Sequence, residues 1–232
     1  MQETAGAIRG MFSAIAPRYD LLNHLLSFNV DRIWWQRTAR AFDHILQRRD
    51  ARVLDLCCGT GDMTLALRRR VRSEGSKIFG ADFSEAMLQR ALKKTSQKDV
   101  SWIGADALQL PLPDGSLDLV TAAFGFRNLA NYDVGLKEIF RVLRRSGECG
   151  ILEFAEPRAA LGALYRLYFR HILPVVGTLI SGVKGPYQYL PASVQRFPSP
   201  EEMLERMRQV GFREVSWTPY TFSIAGLYRG RK

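Results

Sequence analysis

A glycine-rich turn follows an apolar run in the first third of the chain. The run 53–57 leads into the pattern D-x-x-x-G-x-G, which Asp55, Gly59 and Gly61 form. Because glycine has no side chain, a ligand can approach the backbone closely at such a turn. A tight turn between a strand and a helix also favours glycine, so the turn alone does not separate a binding role from a structural one.

Two acidic residues stand where the next two apolar runs end. Asp82 ends the run 77–82, where a carboxylate can accept hydrogen bonds from both ribose hydroxyls of a nucleoside. Asp106 and Ala107 follow the run 100–105, where a carboxylate can bind the exocyclic amine of an adenine. The structural alternative is that both carboxylates only cap the helices that follow them.

The residues around the turn narrow the class of ligand. The third glycine of a dinucleotide-binding turn is missing, and no cluster of Lys or Arg faces the turn to bind a pyrophosphate. A nucleoside without phosphates therefore fits better than NAD, and we predict S-adenosylmethionine as the cofactor. The predicted contacts are Gly59, Gly61, Asp82, Asp106 and Ala107.

Strands and helices must alternate to bring these residues together. The predicted strands cover 53–57, 77–82, 100–105, 117–124 and 149–154, and the predicted helices cover 62–72, 84–94 and 134–143. This alternation requires crossover connections and hence an α/β fold with a mostly parallel, doubly wound sheet. A helix at 199–210, a stop at Gly211 and strands around 214–218 and 221–227 extend the sheet to seven strands with helices on both faces.

We predict one domain over residues 1–232, because no repeat or low-complexity linker interrupts the chain. Its predicted parts are an N-terminal helical cap at 1–50, a cofactor-binding core at 51–156, a substrate or membrane segment at 157–200, and a C-terminal helix with strands at 201–232.

The segment 157–200 combines aromatic and basic side chains and has no acidic residue. Its longest charge-free run, 171–183, is shorter than the ~18–20 residues of a membrane-spanning helix. One interpretation is a helix and loop packed over the sheet. The other is an interfacial segment, in which basic groups contact lipid phosphates while apolar faces lie below them.

Composition limits the class of protein and indicates an anionic partner. The 232 residues are 47% hydrophobic and 24% charged, which argues against disorder and against a polytopic membrane protein. Three cysteines suit neither a disulfide framework nor a metal site, and no signal peptide is evident, so we expect a cytoplasmic protein without a metal. The net charge of +10 favours either nucleic acid or an acidic membrane surface as a partner.

Two longer motifs resemble signatures of the menaquinone/ubiquinone C-methyltransferase family, within the Rossmann-like class I S-adenosylmethionine methyltransferases. The first is M-F-S-x-x-A-P-x-Y-D-x-L-N-x-x-L-S at 11–27, followed by Trp34, and the second is F-G-F-R-N-L at 124–129. The likeness runs from about Gly10 to the C-terminus. It implies that Thr60 also contacts the cofactor. Many relatives on the ubiquinone side have Ser where this chain has Ala123, so a side-chain contact there is lost or replaced by backbone.

The resemblance implies methylation of a ring carbon in a polyprenylated quinol. Alignment with the methyl donor and stabilisation of a developing oxyanion are the main tasks of such an enzyme. Arg127 is expected to hold the oxyanion and Asn128 the second ring oxygen, unless they form an ion pair and a helix cap instead. Tyr19 and Asp20 are expected to cover the cofactor or to help deprotonate the quinol, unless they are ordinary turn and cap residues.

The resemblance favours demethylmenaquinol as the acceptor, because Ala123 and the stretch 15–23 look more like the menaquinone-only branch. The benzoquinol intermediate of ubiquinone biosynthesis is the alternative acceptor. The resemblance also implies a role for the segment 157–200, which would line a tunnel for the isoprenoid tail and make a peripheral contact with an anionic membrane. An RNA methyltransferase and a non-catalytic scaffold are more distant alternatives, and we expect no nucleic-acid partner. A homodimer is a further possibility.

Overall fold

Seven strands form a single sheet. The computed structural model describes residues 6, 10, 13, 24, 27, 29–95, 100–155 and 186–232, with the backbone alone at 186–188. The strands are β1 (Arg52–Leu56), β2 (Lys77–Asp82), β3 (Ser101–Gly104), β4 (Leu117–Ala123), β5 (Leu143–Phe154), β6 (Arg213–Tyr220) and β7 (Ala225–Arg231). Their order across the sheet is β3-β2-β1-β4-β5-β7-β6. The first five strands are parallel, and β7 runs antiparallel between β5 and β6.

Seven helices lie in the part of the chain that the structure describes. They are α1 (Val30–Arg40), α2 (Asp43–Leu46), α3 (Asp62–Arg68), α4 (Glu85–Lys94), α5 (Tyr132–Val142), α6 (Pro186–Arg196) and α7 (Pro200–Val210). A short 3₁₀ helix, Phe126–Asn128, follows β4. The predicted α/β class with a mostly parallel seven-stranded sheet is confirmed.

Two apolar layers bury the sheet. One cluster joins α1, α2 and α3 to the strands through side chains such as Phe42, Leu67 and Leu119. The other joins α5 and α7 to the opposite face through side chains such as Ile139 and Met207. Because apolar side chains cover both faces, the ends of the strands are the places left for polar chemistry.

The helix predicted at 199–210 has clear signals at both ends. The Ser199 side chain accepts the backbone N–H of Glu202, and the Glu202 side chain accepts the backbone N–H of Ser199. This reciprocal pair satisfies two donors that a helix start leaves free. Gly211 ends the helix in the left-handed region, with φ of 114°. The predicted helix and its stop are confirmed.

The last strand begins later than its predicted position. Residues 221–227 were expected to be a strand, but Thr221, Phe222 and Ser223 have φ of 40°, 54° and 66° and form the turn between β6 and β7. No Gly, Pro, Asn or Asp stands in this turn to indicate it in the sequence. β5 begins six residues earlier than predicted, at Leu143, and its pairing with β4 shifts register near its start.

The segment predicted at 157–200 is described only from residue 186 onward, where α6 covers 186–196. Most of the predicted helical region before Val30 also lies outside the described residues. Within the described ranges, no helix has the length and apolar character needed to span a bilayer. The division of the chain into one domain with four parts stays a prediction.

Candidate active site

The parallel sheet brings three loops to one edge. β2 and β4 are both parallel neighbours of β1, and Leu56 at the end of β1 pairs with Ala81 and Ala122. The loop after each strand therefore leaves from the carboxyl edge. These loops carry the glycine turn at 57–61, Asp82 and the motif 124–129.

The carboxylate of Asp82 links two of these loops. One oxygen, Oδ2, accepts the backbone N–H of Gly59 at 2.8 Å, and Oδ1 accepts that of Ser84 at 2.8 Å. Asp82 is only 6% exposed, and burial raises its pKa, while the backbone N–H groups of Ser84, Gly59 and Phe83 oppose the rise. Each carboxylate oxygen can accept more than one hydrogen bond, so the group can hold the loops and still accept ribose hydroxyls.

The two glycines of the turn have different surroundings. A Cβ on Gly59, at φ of 54°, would meet no atom within 4 Å. A Cβ on Gly61, at φ of 88°, would lie 2.5 Å from the indole of Trp102. The missing side chain of Gly61 therefore makes room for Trp102, and the open space for a ligand lies beside Gly59. That space and the acceptor at Asp82 suit a nucleoside cofactor.

Thr60 and Asp106 also make contacts within the protein. The Thr60 hydroxyl is buried, donates to Asp62 at 3.5 Å and accepts from the Lys94 ammonium at 3.0 Å. Asp106 is exposed, and its Oδ1 accepts the backbone N–H of Leu108 at 2.9 Å. Ala107 is buried beside it. Asp106 thus stabilises a local turn and caps no helix, since β4 is the next element in the chain. The cofactor contacts of all three residues stay predictions.

Two side-chain-bearing residues at this edge have backbone torsions that usually belong to glycine. Cys57, after β1, has φ of 53°, and Phe124, after β4, has φ of 56°. The two loops touch, since a Cβ on Gly125 would lie 2.4 Å from the Cβ of Cys57. Such torsions cost about 1–3 kcal/mol each and are concentrated at functional sites.

The adjacent thiols of Cys57 and Cys58 are poor nucleophiles. Burial, reinforced by nearby carboxylates such as Asp82, raises the pKa of both thiols well above the ordinary value. A buried thiol that stays protonated is unreactive. Packing is therefore their role in the described structure.

Arg127 lies in a buried network at the ends of β4 and β5. Its Nη1 donates to both oxygens of Glu153, at 3.2 and 3.1 Å, and to the carbonyl of Phe124, while its Nε donates to the Ser193 hydroxyl at 3.2 Å. Glu153 also accepts the backbone N–H groups of Arg127 and Phe154. The ion pair weighed as the alternative for Arg127 is thus present. No described residue accepts a hydrogen bond from Nη2, and the predicted role toward an oxyanion stays a prediction.

The side chain of Asn128 bonds to a tyrosine and does not cap a helix. Its Oδ1 accepts the hydroxyl of Tyr189, from α6, at 3.1 Å. The helix that follows, α5, is capped by Asn131, whose side chain accepts the backbone N–H groups of Asp133 and Val134. Asn128 is therefore not the cap, and its amide lies beside Arg127 at the same edge.

The predicted residues Tyr19 and Asp20 lie outside the described residues, so their roles stay predictions. Trp34, from the first family motif, is described. Its ring lies 5.7 Å from that of Phe124 and 6.1 Å from that of Phe154, measured between centroids. The N-terminal region thus reaches the loop that carries Arg127.

Comparison with known proteins identifies the family. A family model described as the ubiE/COQ5 methyltransferase family matches residues 1–232. The chain belongs to the ubiE/COQ5 methyltransferase family. The resemblance predicted from the two motifs is confirmed, and the protein is a methyltransferase.

Similar relatives cover almost the whole chain. A protein of Thermus thermophilus named demethylmenaquinone methyltransferase is 48% identical over 95% of this chain and 99% of its own length. One of Deinococcus radiodurans with the same name is 47% identical over 100% of this chain and 95% of its own length. A Geobacter sulfurreducens protein named ubiquinone/menaquinone biosynthesis C-methyltransferase UbiE is 42% identical, over 100% of this chain and 91% of its own length.

Solved structures support the fold. A S-adenosylmethionine-dependent methyltransferase of Thermotoga maritima aligns with a TM-score of 0.68 at 20% identity, over 96% of this chain and 99% of that one. A Haemonchus contortus phosphoethanolamine N-methyltransferase, in complex with S-adenosyl-L-methionine, aligns with a TM-score of 0.62 at 14% identity, over 85% and 52% of the two chains. At these identities the likeness extends to the Rossmann-like fold alone.

Sequence reasoning missed two buried carboxylates of this ubiE/COQ5-family site. Glu153 is the next-to-last residue of an apolar strand run and belongs to no motif, so only its position beside Arg127 reveals it. Asp55 begins the pattern of the glycine turn, which by itself indicates no chemical role for it. Its carboxylate accepts the hydroxyls of Thr64 at 2.6 Å and Thr121 at 2.9 Å, and burial raises its pKa from 3.8 to about 7.

We predict that the folded protein loses stability as pH rises between the two pKa values of Asp55, 3.8 in the unfolded chain and about 7 in the fold. The folded state keeps this proton up to about pH 7, whereas the unfolded chain releases it near 3.8. Because the unfolded state binds fewer protons in that window, the free energy of unfolding should fall as pH rises, by up to about 1.4 kcal/mol per pH unit. Urea unfolding of the wild type and Asp55→Asn from pH 4.5 to 7.5 measures this contribution. Parallel curves for the two proteins would contradict it.

Proposed function

We propose that this protein transfers a methyl group to a ring carbon of a polyprenylated naphthoquinol, and so converts demethylmenaquinol to menaquinol. The observation that carries the proposal is identity of 47–48% to relatives named demethylmenaquinone methyltransferase, over nearly the full length of both chains. The buried polar network at the carboxyl edge supports it.

S-adenosylmethionine is the proposed methyl donor, and it supplies an electrophilic methyl group. Asp82 would accept the ribose hydroxyls, and Asp106 with Ala107 would hold the adenine. Gly59, Thr60 and Gly61 would offer backbone to the cofactor, with the open space beside Gly59 as the point of closest approach.

The acceptor must be the reduced quinol, because a quinone carbon is itself electrophilic. Loss of a phenolic proton gives the neighbouring ring carbon carbanion character, so the enzyme must align that carbon and stabilise the oxyanion. Arg127 would offer Nη2, since its Nε and Nη1 are engaged. Asn128 would offer its amide nitrogen, since Tyr189 already donates to its carbonyl oxygen. Tyr19 and Asp20 would cover the cofactor or accept the phenolic proton.

A second acceptor is supported by a specific relative. The Geobacter sulfurreducens protein, 42% identical, is named for both ubiquinone and menaquinone biosynthesis. The benzoquinol intermediate of ubiquinone biosynthesis is therefore the alternative substrate, alone or beside the naphthoquinol.

A methyl-transfer assay in detergent tests the two acceptors. We expect the purified protein to methylate demethylmenaquinol and to use the matching benzoquinol less well, at equal concentrations and with the same isoprenoid tail. Mass spectrometry of the ring product measures both reactions. Preference for the benzoquinol would make the alternative correct, and methylation of neither quinol would refute the proposed function.

We predict that Asp82→Asn weakens cofactor binding. Hydrogen bonds to a charged group contribute about 1.5–3 kcal/mol, so the Kd for S-adenosylmethionine should rise by roughly 10- to 150-fold. Isothermal titration calorimetry measures the change. Asp133→Asn is the matched control, since Asp133 pairs with Arg206 on the surface and should leave the Kd unaltered. Equal affinities for the wild type and Asp82→Asn would remove Asp82 from the cofactor site.

We predict that removal of the Arg127 charge abolishes most methyl transfer and leaves cofactor binding intact. The loss of one oxyanion donor typically costs about 100-fold or more in kcat. Because Arg127→Ala would strand the buried charge of Glu153, the double variant Arg127→Gln with Glu153→Gln is measured beside it. A double variant that folds, binds the cofactor and turns over at the wild-type rate would show that Arg127 acts only through its ion pair.

A further inference from the structure

Two large apolar side chains stand out at the surface. Phe222 is 71% exposed and Ile33 is 62% exposed, and in the described part of the chain only Val134, at 37%, joins them as an exposed large hydrophobic residue. Ile33 precedes Trp34 in the chain, and Phe222 follows Thr221. The indole nitrogen of Trp34 donates a hydrogen bond of 2.8 Å to the hydroxyl of Thr221. The segments that carry the two apolar side chains, α1 and the β6–β7 turn, are therefore in contact and form one region.

The turn holds Phe222 outward at a conformational cost. Thr221, Phe222 and Ser223 all have positive φ, and the backbone N–H of Ile224 donates to the carbonyl of Thr221 at 3.0 Å to close the turn. Residues with side chains rarely adopt these torsions, each at about 1–3 kcal/mol. The exposed ring gains little burial within the fold to offset that cost, which indicates a use outside it.

The charge around these side chains is positive. α1 exposes Arg32, Arg37 and Arg40, whereas its one acidic residue, Asp31, is buried and bonded to His24 at 2.8 Å. Asp31 and Trp34 lie three positions apart on the buried face of α1, so at about 100° per residue Ile33 points away from that face. Exposed arginines around apolar side chains are typical of a surface that binds anionic lipid.

The topology directs this region to the same edge as the candidate active site. β6 and β5 both run antiparallel to β7, so β6 is parallel to β5 and the β6–β7 turn leaves from the carboxyl edge. Ala155, directly after β5, donates its backbone N–H to Ile224 at 3.0 Å. Trp34 links the region to the ring of Phe124, three residues before Arg127.

We propose that Ile33, Phe222 and the exposed arginines of α1 form a docking surface for anionic membranes. The apolar side chains enter the headgroup region and the arginines bind lipid phosphates. A substrate with a lipid tail lies in the membrane. Docking through this surface would turn the carboxyl edge of the sheet, and with it the candidate active site, toward that substrate. That last step rests on the proposed function, whereas lipid binding by the surface does not.

Vesicle co-sedimentation tests the surface. The full chain is mixed with vesicles of phosphatidylglycerol and phosphatidylcholine in equal parts, or of phosphatidylcholine alone, at low salt. We expect binding to the anionic vesicles only. Phe222→Ser should weaken it about tenfold, and Arg32→Gln with Arg40→Gln about fivefold for each charge removed. Val134→Ser, on α5 across the sheet, is the matched control and should bind as the wild type does.

Equal binding by the wild type and Phe222→Ser, or an equal loss in Val134→Ser, would overturn the proposal. So would a dimer that Phe222→Ser dissociates in a protein without affinity for vesicles, since the surface would then bind a second copy. Methyl transfer separates this result from the proposed function. Phe222→Ser should keep wild-type turnover on a short-tailed quinol in detergent and lose it on a polyprenylated quinol in anionic vesicles. If neither quinol reacts with the wild type, the proposed function fails, and the vesicle result still decides the docking surface.

Discussion

The hydrogen bond from the Gly59 amide to the Asp82 carboxylate sets the geometry of the site. Its 2.8 Å contact fixes the turn after β1 against the end of β2, and the second oxygen of Asp82 fixes the chain that enters α4. A sheet buried on both faces has room for a polar ligand only at its edge. One carboxylate therefore decides where the open side of Gly59 faces.

A second interaction, an ion pair, connects the elements at the other half of the sheet's carboxyl edge. The Arg127–Glu153 pair ties the loop after β4 to the end of β5, and Ser193 extends the network to α6. A buried ion pair adds little net stability, because desolvation offsets the attraction, but loss of one partner costs about 3–5 kcal/mol. The pair therefore fixes position more than it stabilises the fold. It also presents Asn128, whose amide Tyr189 orients from the same helix.

The features that follow from strand periodicity and turn chemistry were predictable from the sequence. Alternating apolar runs predicted the strands of the sheet, and the position of an acid at a strand end predicted Asp82, because both signals depend on residues close in sequence. Contacts between residues far apart in the sequence could not be predicted from it. Trp102 fills the space beside Gly61 from the edge strand, and Glu153 meets Arg127 across 26 residues. The β6–β7 turn was not predictable because residues with side chains, and not glycine, adopt its positive φ values.

The partners of the described acidic side chains limit which of them could accept the proton of the quinol. Asp82 accepts two backbone amides, and Glu153 is neutralised by Arg127. Asp55 lies buried behind Thr64 and Thr121, below the edge. Asp106 is exposed, but it stands beyond β2 at the end proposed for the adenine. An acid that already holds the loops together would release them on taking up a proton. We therefore propose the N-terminal motif as the source of a base, which is one of the two roles that the family resemblance implies for Tyr19 and Asp20.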